Sequence, residues 1–331
     1  MRILIVYHSV IPAIKYGGTE RVIWYLGKAL VSMGHEVTYL VNEGSYCDFA
    51  KVIYIDNTRS FHESIPTDID VIHFNETPPE PEKIKKPYVV TIHGNIPNLQ
   101  HKFDLNTIFV SKNHATRHGS TSYVYNGLDW DDYDKPDFHS QKKYFHFLGK
   151  AAWRVKNVKG AISVIKGTHS ERLSVLGGVR FNFKLRIRFT FSPRISFYGM
   201  VGGKVKDNLL KHSKGLIFPV KWHEPFGLAI TESLYYGCPV FGTPYGSLPE
   251  LVNEDVGFLS NKRSELTQAV EEVSKYSRKR CHEYVLEEFN SIKMAKSYLE
   301  RYERVLDAEA LNSERPKLAN MNQPRFMDWI E

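Results

Sequence analysis

The feature that most constrains the fold is a strand–helix–strand pattern at the start of the chain. Residues 3–7 form a short apolar run, as expected for a strand that is buried on both faces of a parallel sheet. Apolar residues then recur at helical spacing over 22–33, and Gly34 follows, where a glycine commonly ends a helix. Residues 37–41 are again mostly apolar. Because strands joined by a crossover helix lie parallel, the pattern predicts an α/β fold.

The same alternation continues and then restarts after an aspartate-rich stretch at 126–134. In the first half it predicts further strands at 51–55, 70–74, 87–92 and 106–110. In the second half it predicts strands at 144–148, 172–176, 194–198, 215–219 and 239–242, and helices near 157–166, 204–212 and 227–236. A chain of 331 residues is also longer than one hydrophobic core usually supports.

We therefore predict two Rossmann-like domains, whose parallel sheets face each other across a cleft. The N-terminal domain is predicted at 1–135 and the C-terminal domain at 136–285. A last long helix is predicted at 282–306, and a polar tail follows at 308–331. We expect residues 286–331 to pack back toward the N-terminal domain.

Segment 180–191 has a different pattern, a strict alternation of polar and apolar residues with several basic side chains. This period of two predicts one amphipathic strand. The segment has two interpretations. It is either a half-exposed strand at a sheet edge or a basic surface that touches an anionic acceptor or a membrane.

Composition narrows the choice of partners and of compartment. Lys and Arg number 44 against 37 Asp and Glu, a net charge of +7 that favours anionic partners such as phosphorylated metabolites. The 3 cysteines lack C-x-x-C spacing, which argues against a disulfide framework and a zinc ribbon. No apolar run has the length of a signal peptide core or of a membrane span, so a cytoplasmic location is expected. No signature of an RNA-binding module occurs, and no nucleic-acid partner is expected.

The clearest chemistry lies at 222–232, where a predicted strand is followed by a helix that is almost entirely apolar. The unpaired N–H groups and the dipole at the start of that helix favour a bound phosphate. Glu224 precedes the helix and Glu232 lies within it, where an unpaired carboxylate would be costly and needs a partner. Two interpretations remain on the residues alone. The carboxylates hold sugar and ribose hydroxyls beside a phosphate, or Glu224 caps the helix and Glu232 is paired internally.

The most specific block in the sequence is E-P-F-G-L-x-x-x-E at 224–232 with G-C-P-V at 237–240. Six further segments accompany it: G-G-T-E-R-V at 17–22, G-H-E-V-T at 34–38, T-I-H-G at 91–94, N-G-L-D at 126–129, F-L-G-K to K-N at 147–157 and P-Y-G-S-L-P-E-L at 244–251. Taken in order along residues 1–306, these segments resemble glycosyltransferase family 4, also called glycosyl transferases group 1. Members of this family are retaining enzymes of the GT-B fold.

The resemblance implies roles for individual residues. The implied catalytic residues are His93, Glu224, Lys150 and Lys156. The implied donor-binding residues are Gly17, Gly18, Lys150, Lys156, Glu224, Phe226, Gly227, Leu228 and Glu232. In this scheme Glu232 bonds the ribose, Glu224 faces the donor sugar, and the two lysines bind the leaving diphosphate. Lys150 stands where the family usually has arginine, so a bidentate fork is replaced by a point charge.

The resemblance also implies the substrates. The donor would be a nucleoside diphosphate sugar, with UDP or GDP as the expected nucleotide, and neither a cofactor nor a metal ion would be needed. The acceptor would be a carbohydrate or a lipid-linked sugar, as in surface polysaccharide biosynthesis, with peripheral contact at the inner membrane face as an open possibility. The alternatives are a nucleotide-sugar-binding protein without turnover and a nucleotide-sugar epimerase or hydrolase.

Overall fold

The structure, a computed structural model, describes residues 1–13, 17–56, 58, 60–96, 98, 100–182, 188–322, 324 and 326–331. These residues form two compact units. Unit 1 contains residues 1–13, 17–129 and 289–322, and unit 2 contains 130–288 and the last residues of the chain.

Unit 1 is built on a parallel sheet whose described strands are β1 Arg2–Tyr7, β2 Glu36–Val41, β3 Lys51–Tyr54, β4 Val71–Phe74, β5 Tyr88–Ile92 and β6 Thr107–Phe109. Their order is β3-β2-β1-β4-β5-β6. The chain therefore adds β2 and β3 on one side of β1 and then β4, β5 and β6 on the other, so the strand order reverses at β1. Helix α1 (Gly18–Ser32) connects β1 to β2, and the short helix α2 (Lys112–Thr116) follows β6. In sheets of this kind, ligands bind at the carboxyl ends of the strands near the reversal.

Strand β1 is the centre of the unit 1 core, as the apolar run at 3–7 predicted. Ile3, Leu4, Ile5 and Val6 are all fully buried, and β1 pairs with β2 on one side and with β4 on the other. Gly34 lies just after α1 with φ +87°, a left-handed conformation that glycine adopts without steric cost. The predicted strand–helix–strand unit is therefore confirmed.

Unit 2 repeats the arrangement with a second parallel sheet of order β11-β8-β7-β12-β13-β14. Its described strands are β7 Tyr144–Leu148, β8 Leu173–Leu176, β9 Phe181–Asn182, β10 Arg188–Phe189, β11 Ile195–Phe197, β12 Ser213–Phe218, β13 Val240–Gly242 and β14 Gly257–Leu259. Its described helices are α3 Val158–Gly167, α4 Gly203–Lys211, α5 Leu228–Tyr235, α6 Leu248–Leu251, α7 Arg263–Glu271 and α8 Arg278–Glu288. The α/β class and the two parallel sheets match the prediction.

The predicted helix at 282–306 is wrong as a single element. It consists of α8 and a separate helix α9 (Ser291–Leu306), which belongs to unit 1. Asn290 is extended (φ −98°, ψ 159°), and its side chain accepts a hydrogen bond from the backbone N–H of Lys293 at 2.8 Å. This side-chain cap begins a new helix, and the apolar periodicity on either side of it hides the break.

The predicted single strand at 180–191 is also wrong. Strands β9 and β10 pair antiparallel with each other, with Phe181 opposite Phe189, and neither belongs to the six-stranded sheet. Residues 183–187 lie outside the described part of the chain. A period of two is common to both arms of an antiparallel pair, so the alternation alone could not separate one strand from two.

The described residues of the tail beyond α9 contact unit 1 first and unit 2 near the end of the chain. Phe103 donates its backbone N–H to the carbonyl of Pro316 at 2.8 Å in unit 1. In unit 2, Arg263 donates to the carbonyl of Ile330 at 2.8 Å. Among the described residues, no helix combines the length and the apolar character that crossing a membrane requires.

Each sheet contains one histidine that is fully buried between two hydroxyl groups. His73 lies on β4 and His146 on β7, and burial lowers the pKa of each to about 3. The hydroxyl partners are Tyr302 at 2.7 Å and Thr91 at 2.8 Å for His73, and Ser213 at 2.7 Å and Ser233 at 2.8 Å for His146. Both rings are therefore neutral at physiological pH.

Acidification from pH 7 to pH 5 is expected to lower the free energy of unfolding by about 2 kcal/mol through each of these histidines. The unfolded ring takes up a proton below its ordinary pKa of about 6.5, whereas the folded ring stays neutral until about pH 3. Stability is thus lost as the pH falls through 6.5. Urea unfolding at both pH values measures the loss, which should be smaller in His73→Gln. An equal loss in the variant and the wild type would contradict this origin.

Candidate active site

The centre of the candidate site in unit 2 is an ion pair between Lys156 and Glu224. The lysine Nζ lies 2.8 Å from Oε1 and 2.6 Å from Oε2 of the carboxylate. Lys156 comes from the loop after β7 and Glu224 from the loop after β12, and these strands are neighbours in the sheet. Both side chains are largely buried, with 13% and 7% of their surface exposed. A buried charge pair at the carboxyl ends of two parallel strands lies where α/β sheets bind ligands.

Glu224 is fixed by more than the lysine. Trp222 donates its indole N–H to Oε2 of Glu224 at 2.7 Å. The backbone of Gly246 lies so close that a Cβ there would stand 2.2 Å from the nitrogen of Glu224, and its φ is +67°. Ser247 donates its N–H to the carbonyl of Glu224 at 3.0 Å. The carboxylate therefore has a defined position and a charge that is balanced by the lysine.

The two loops that supply this pair are hydrogen-bonded into one frame. Lys221 donates its N–H to the carbonyl of Val155 at 2.7 Å. The amide of Asn157 donates to the carbonyl of Pro219 at 2.9 Å and accepts from the N–H of Gly160 at 3.1 Å, which caps α3. Asn157 itself is left-handed (φ 53°), a conformation that asparagine tolerates better than most residues. The position of Lys156 is thus set by backbone contacts on both sides.

The turn at 226–228 joins Glu224 to helix α5. Gly227 is left-handed with φ +92° and stands at the N-cap position with no side chain to cap the helix. Ser247 donates its hydroxyl to the carbonyl of Phe226 at 2.6 Å, which holds the buried Phe226 in place. The N–H of Ile230 donates to the carbonyl of Gly227 at 2.9 Å. With no side chain as a cap, the N–H groups before it, those of Leu228 and Ala229, can donate to an anion.

Glu232 lies within α5, only 3% exposed, and it has the partner that its burial requires. Lys206 on α4 forms an ion pair with Oε1 of Glu232, and Tyr133 donates its hydroxyl to the same oxygen at 3.0 Å. The side chains of Lys206 and Glu232 are 9% and 4% exposed. The lysine also lies over the ring of Tyr133. The predicted need for a partner is met by a second buried ion pair.

Lys150 lies at the start of the loop that contains Lys156. Its Nζ stands 5.1 Å from the ring centre of Trp153, and that ring lies 6.4 Å from the ring of Trp222. Lys156 lies 5.1 Å from the same Trp222 ring. The two lysines therefore flank a pair of contacting tryptophans, and Lys150 is the more exposed of the two.

The C-terminal residues of the chain pack against the same loops. Arg154 lies 4.3 Å from the ring centre of Phe326, and Lys221 lies 5.9 Å from it. The hydroxyl of Tyr245 donates to the carbonyl of Asp328 at 2.9 Å. The tail therefore holds three loops: the one that carries Lys156, the one that leads to Glu224, and the one next to Gly246.

Replacing Phe326 by alanine is expected to raise the KM for the donor about fivefold with little change in kcat. The ring supports Arg154, two residues from Lys156, and an exposed cation–π contact contributes about 0.5–1 kcal/mol. Steady-state kinetics with a varied donor concentration measures the effect. Met321→Ala, in the part of the tail that belongs to unit 1, is the matched control. An unchanged KM in Phe326→Ala would show that the tail does not position this loop.

In unit 1, His93 directly follows β5 and bonds the residue that follows β4. Its Nε2 lies 2.9 Å from Oδ1 of Asn75, whose amide nitrogen donates to the carbonyl of Val6 at 3.2 Å. Burial lowers the pKa of His93 to about 4, so the ring is neutral at physiological pH. Because Nε2 donates to Asn75, Nδ1 is the nitrogen with the lone pair. His93 can thus accept one hydrogen bond from a hydroxyl group.

Gly17 and Gly18 begin helix α1 beside an acidic side chain. A Cβ on Gly17 would stand 2.5 Å from Oε2 of Glu20, and Ser9 donates its hydroxyl to Oε1 of Glu20 at 3.2 Å. The backbone of Gly17 is extended (φ 177°), so its conformation does not require glycine, and a Cβ there would meet the flexible end of Glu20.

Each unit also contains residues beside these positions that the sequence did not single out for function. His8 follows β1, and both its backbone N–H, at 3.0 Å, and its Nδ1 contact Oε1 of Glu76, next to Asn75. This contact raises the pKa of His8, and it lowers that of Glu76 although burial acts in the opposite direction. The only sequence signal for these residues was their place just after predicted strands. In unit 2 the missed residues are Tyr133, Trp153, Lys206, Trp222 and Phe326.

The part of the chain that forms the unit 2 site resembles a known protein family. The model of a family described as glycosyl transferases group 1 matches residues 129–287. The matched region includes Lys150, Lys156, Glu224 and Glu232. In sequence, 115 residues are 25% identical to a 41.2 kDa protein in the cps region of Klebsiella pneumoniae, itself described as uncharacterized. The aligned part is 33% of this chain and 32% of that relative, about a third of its length.

Solved structures resemble almost the whole chain. A crystal structure of AviGT4, a glycosyltransferase involved in avilamycin A biosynthesis, has a TM-score of 0.71 and 17% identity, and covers 92% of this chain and 98% of that one. A structure of Anabaena Alr3699/HepE in complex with UDP and glucose has a TM-score of 0.64 and 15% identity, and covers 91% and 98%. At sequence identities of 15–17%, the structural similarity establishes the fold alone. That fold is GT-B, as the sequence predicted.

Proposed function

We infer from the match of residues 129–287 to the model of the glycosyl transferases group 1 family that this chain transfers a sugar from a nucleoside diphosphate donor to an acceptor hydroxyl. We propose that the transfer retains the anomeric configuration and that the acceptor is a carbohydrate or a lipid-linked sugar. The observation that carries the proposal is the buried pair of Lys156 and Glu224 beside the uncapped start of α5. This arrangement combines a cation and N–H donors with a carboxylate that is held in place.

The reaction needs a site that stabilises a leaving diphosphate. As the bond between the anomeric carbon and the phosphate oxygen breaks, its electron pair moves onto the diphosphate. In the proposed complex, Lys156, Lys150 and the N–H groups of Gly227 and Leu228 stabilise that charge. Fixed donors of this kind are already oriented before the reaction, so they stabilise the transition state without a cost of reorganisation.

Glu224 is assigned to the donor sugar. Its carboxylate accepts hydrogen bonds from Lys156 and Trp222, and an ionised carboxylate can accept about four in total. The remaining capacity suits sugar hydroxyl groups. When the diphosphate binds, Lys156 can share its three N–H donors between the phosphate and Glu224, so that both anions keep a hydrogen bond to the same cation.

Retention is proposed to occur by attack on the face from which the diphosphate leaves. The acceptor oxygen forms the new bond to the anomeric carbon, and its proton passes to an oxygen of the departing phosphate, so no side chain of the protein has to act as the base. His93 is assigned to the reacting centre by the family resemblance. Its neutral ring, with a lone pair on Nδ1, can orient a hydroxyl group there without adding a positive charge.

The donor is proposed by its nucleotide class, and the biological role is proposed as a type of pathway. A UDP or GDP sugar is proposed as the donor, and the resemblance to a structure that contains UDP and glucose supports UDP. We propose that Lys150 and Lys156 provide the positive charge at the diphosphate without a metal ion. A role in surface polysaccharide biosynthesis is proposed, at the cytoplasmic face of the membrane, and the relative from a cps region is the comparison that bears on it.

A panel of UDP, GDP and ADP sugars, with calorimetry for binding and isotope release for turnover, tests the proposal. Binding of one donor with release of its nucleotide in the presence of sugar acceptors is the expected result. Binding without any turnover would favour a nucleotide-sugar-binding protein, and a changed sugar without an acceptor would favour an epimerase or hydrolase. Failure to bind any nucleotide or nucleotide sugar would refute the assignment. Turnover that is abolished by EDTA and restored by a divalent cation would refute the metal-free mechanism.

A further inference from the structure

Exposed apolar side chains are concentrated in one part of unit 2 that the proposed reaction does not use. We call these side chains the aromatic patch; they are Val179, Phe181, Phe189, Phe191, Tyr198 and Met200. Phe191 is 80% exposed, and the others are exposed by 43–52%. Large apolar side chains that are exposed together, rather than scattered singly, mark an interaction surface.

Three phenylalanines of the patch form one continuous surface. The ring centre of Phe181 lies 5.8 Å from those of Phe189 and Phe191, and the latter two are 6.4 Å apart. These distances are typical of aromatic rings in contact. The rings thus present a joint apolar surface while a large part of each remains in water.

The patch is held on a defined backbone. The guanidinium group of Arg180 donates to the carbonyl of Thr190 at 2.8 Å and also to the carbonyls of Ser192 and Ile195. At the base of the patch, Gly199 donates to the carbonyl of Gly178 at 3.1 Å. These bonds attach the segment to β11, a strand of the six-stranded sheet. The rings are therefore exposed on a backbone that is held in place.

The sequence around the patch is basic. Between Glu171 and Asp207 the chain has 8 Lys and Arg and no Asp or Glu. One of them, Lys206, is neutralised by Glu232. Among the described side chains of this stretch, Arg172, Arg180, Arg194 and Lys204 remain, and their positive field attracts an anionic surface over about one Debye length.

We propose that the aromatic patch, together with these four basic residues, docks unit 2 on an anionic lipid bilayer. Phenylalanines enter the interface between the headgroups and the acyl chains, and the basic residues bind the lipid phosphates. A second copy of this chain would bring two equally basic segments together, and this repulsion disfavours self-association through the patch. The proposal concerns attachment and does not depend on glycosyl transfer.

Co-sedimentation of the full chain with vesicles tests the docking. Vesicles of equal parts phosphatidylglycerol and phosphatidylcholine should bind the protein, vesicles of phosphatidylcholine alone should bind it much more weakly, and high salt should release it. The double variant Phe189→Ser with Phe191→Ser should reduce partitioning by about tenfold for each phenylalanine removed. Donor binding by this variant, measured by calorimetry, should stay unchanged, which shows that the fold and the nucleotide site are intact.

The matched control removes two exposed apolar side chains elsewhere, by Ile292→Ser with Leu306→Ser on α9. This variant should bind vesicles as the wild type does. Equal loss of binding in both double variants, or equal binding to both kinds of vesicle, would overturn the proposal. Light scattering adds a third outcome. A wild-type dimer that becomes a monomer in the phenylalanine variant, with no change in vesicle binding, would assign the patch to self-association instead.

Discussion

Replacing Lys156 by methionine is expected to lower kcat about 100–1000-fold, because removing one preorganised donor to a developing anion typically costs about 2.7–4 kcal/mol. The lysine Nζ lies 2.6–2.8 Å from both oxygens of Glu224, at the end of the loop that we assign to the diphosphate. Stopped assays at saturating donor measure the change. A rate within tenfold of the wild type would show that another cation stabilises the leaving group.

The same change also has a structural effect, which the experiment must separate. Methionine leaves the carboxylate of Glu224 buried without its cation, and such a loss commonly destabilises a protein by about 3–5 kcal/mol. Combining Lys156→Met with Glu224→Gln removes both charges and should restore most of the stability, while kcat stays low. Lys214→Met is the matched control, because Lys214 pairs with Glu171 at 2.7 Å in the same unit but outside the site. It should leave kcat unchanged.

The fold was largely predictable because its signals are local. A strand that is buried on both faces must be apolar throughout, and Ile3 to Val6 satisfy this in four consecutive residues. The two errors in the elements also have local causes. The cap at Asn290 divides α8 from α9 without interrupting the apolar period, and the alternation at 180–191 fits two paired strands as well as one. In both cases the periodicity correctly indicated helix or strand, but it did not show where one element ends and the next begins.

The partners within the site were much less predictable, because they are distant along the chain. The sequence showed that a buried Glu232 needs a partner, but Lys206 lies 26 positions away and Tyr133 lies 99. Lys156 and Glu224 are separated by 68 residues, and only the family resemblance suggested that they act on the same substrate. Phe326 lies in a tail without periodicity. Such pairings depend on the packing of the loops, which no pattern within one segment specifies.

The second large effect is expected at Glu232, whose substitution by glutamine should weaken donor binding about 10–150-fold. A hydrogen bond to a charged group contributes about 1.5–3 kcal/mol, and we assign this carboxylate to the ribose hydroxyls. Lys206 and Tyr133 both donate to Oε1, and an ionised carboxylate can accept about four hydrogen bonds in total. The assignment to ribose is therefore compatible with the buried ion pair. Calorimetric Kd values for the nucleoside diphosphate measure the effect.

A purely structural role for Glu232 predicts a different result, and a charge-neutral pair of substitutions distinguishes the two. Glu232→Gln alone leaves Lys206 buried and unpaired, so weaker binding could follow from a damaged fold. Glu232→Gln with Lys206→Met removes both charges and should regain most of the thermal stability. If the carboxylate holds the ribose, this double variant still binds the nucleotide weakly, whereas the same variant with normal nucleotide affinity would show that the pair only supports the fold. Lys206→Met alone isolates the lysine: because Glu232 keeps its charge and its bond from Tyr133, stability should fall further than donor affinity.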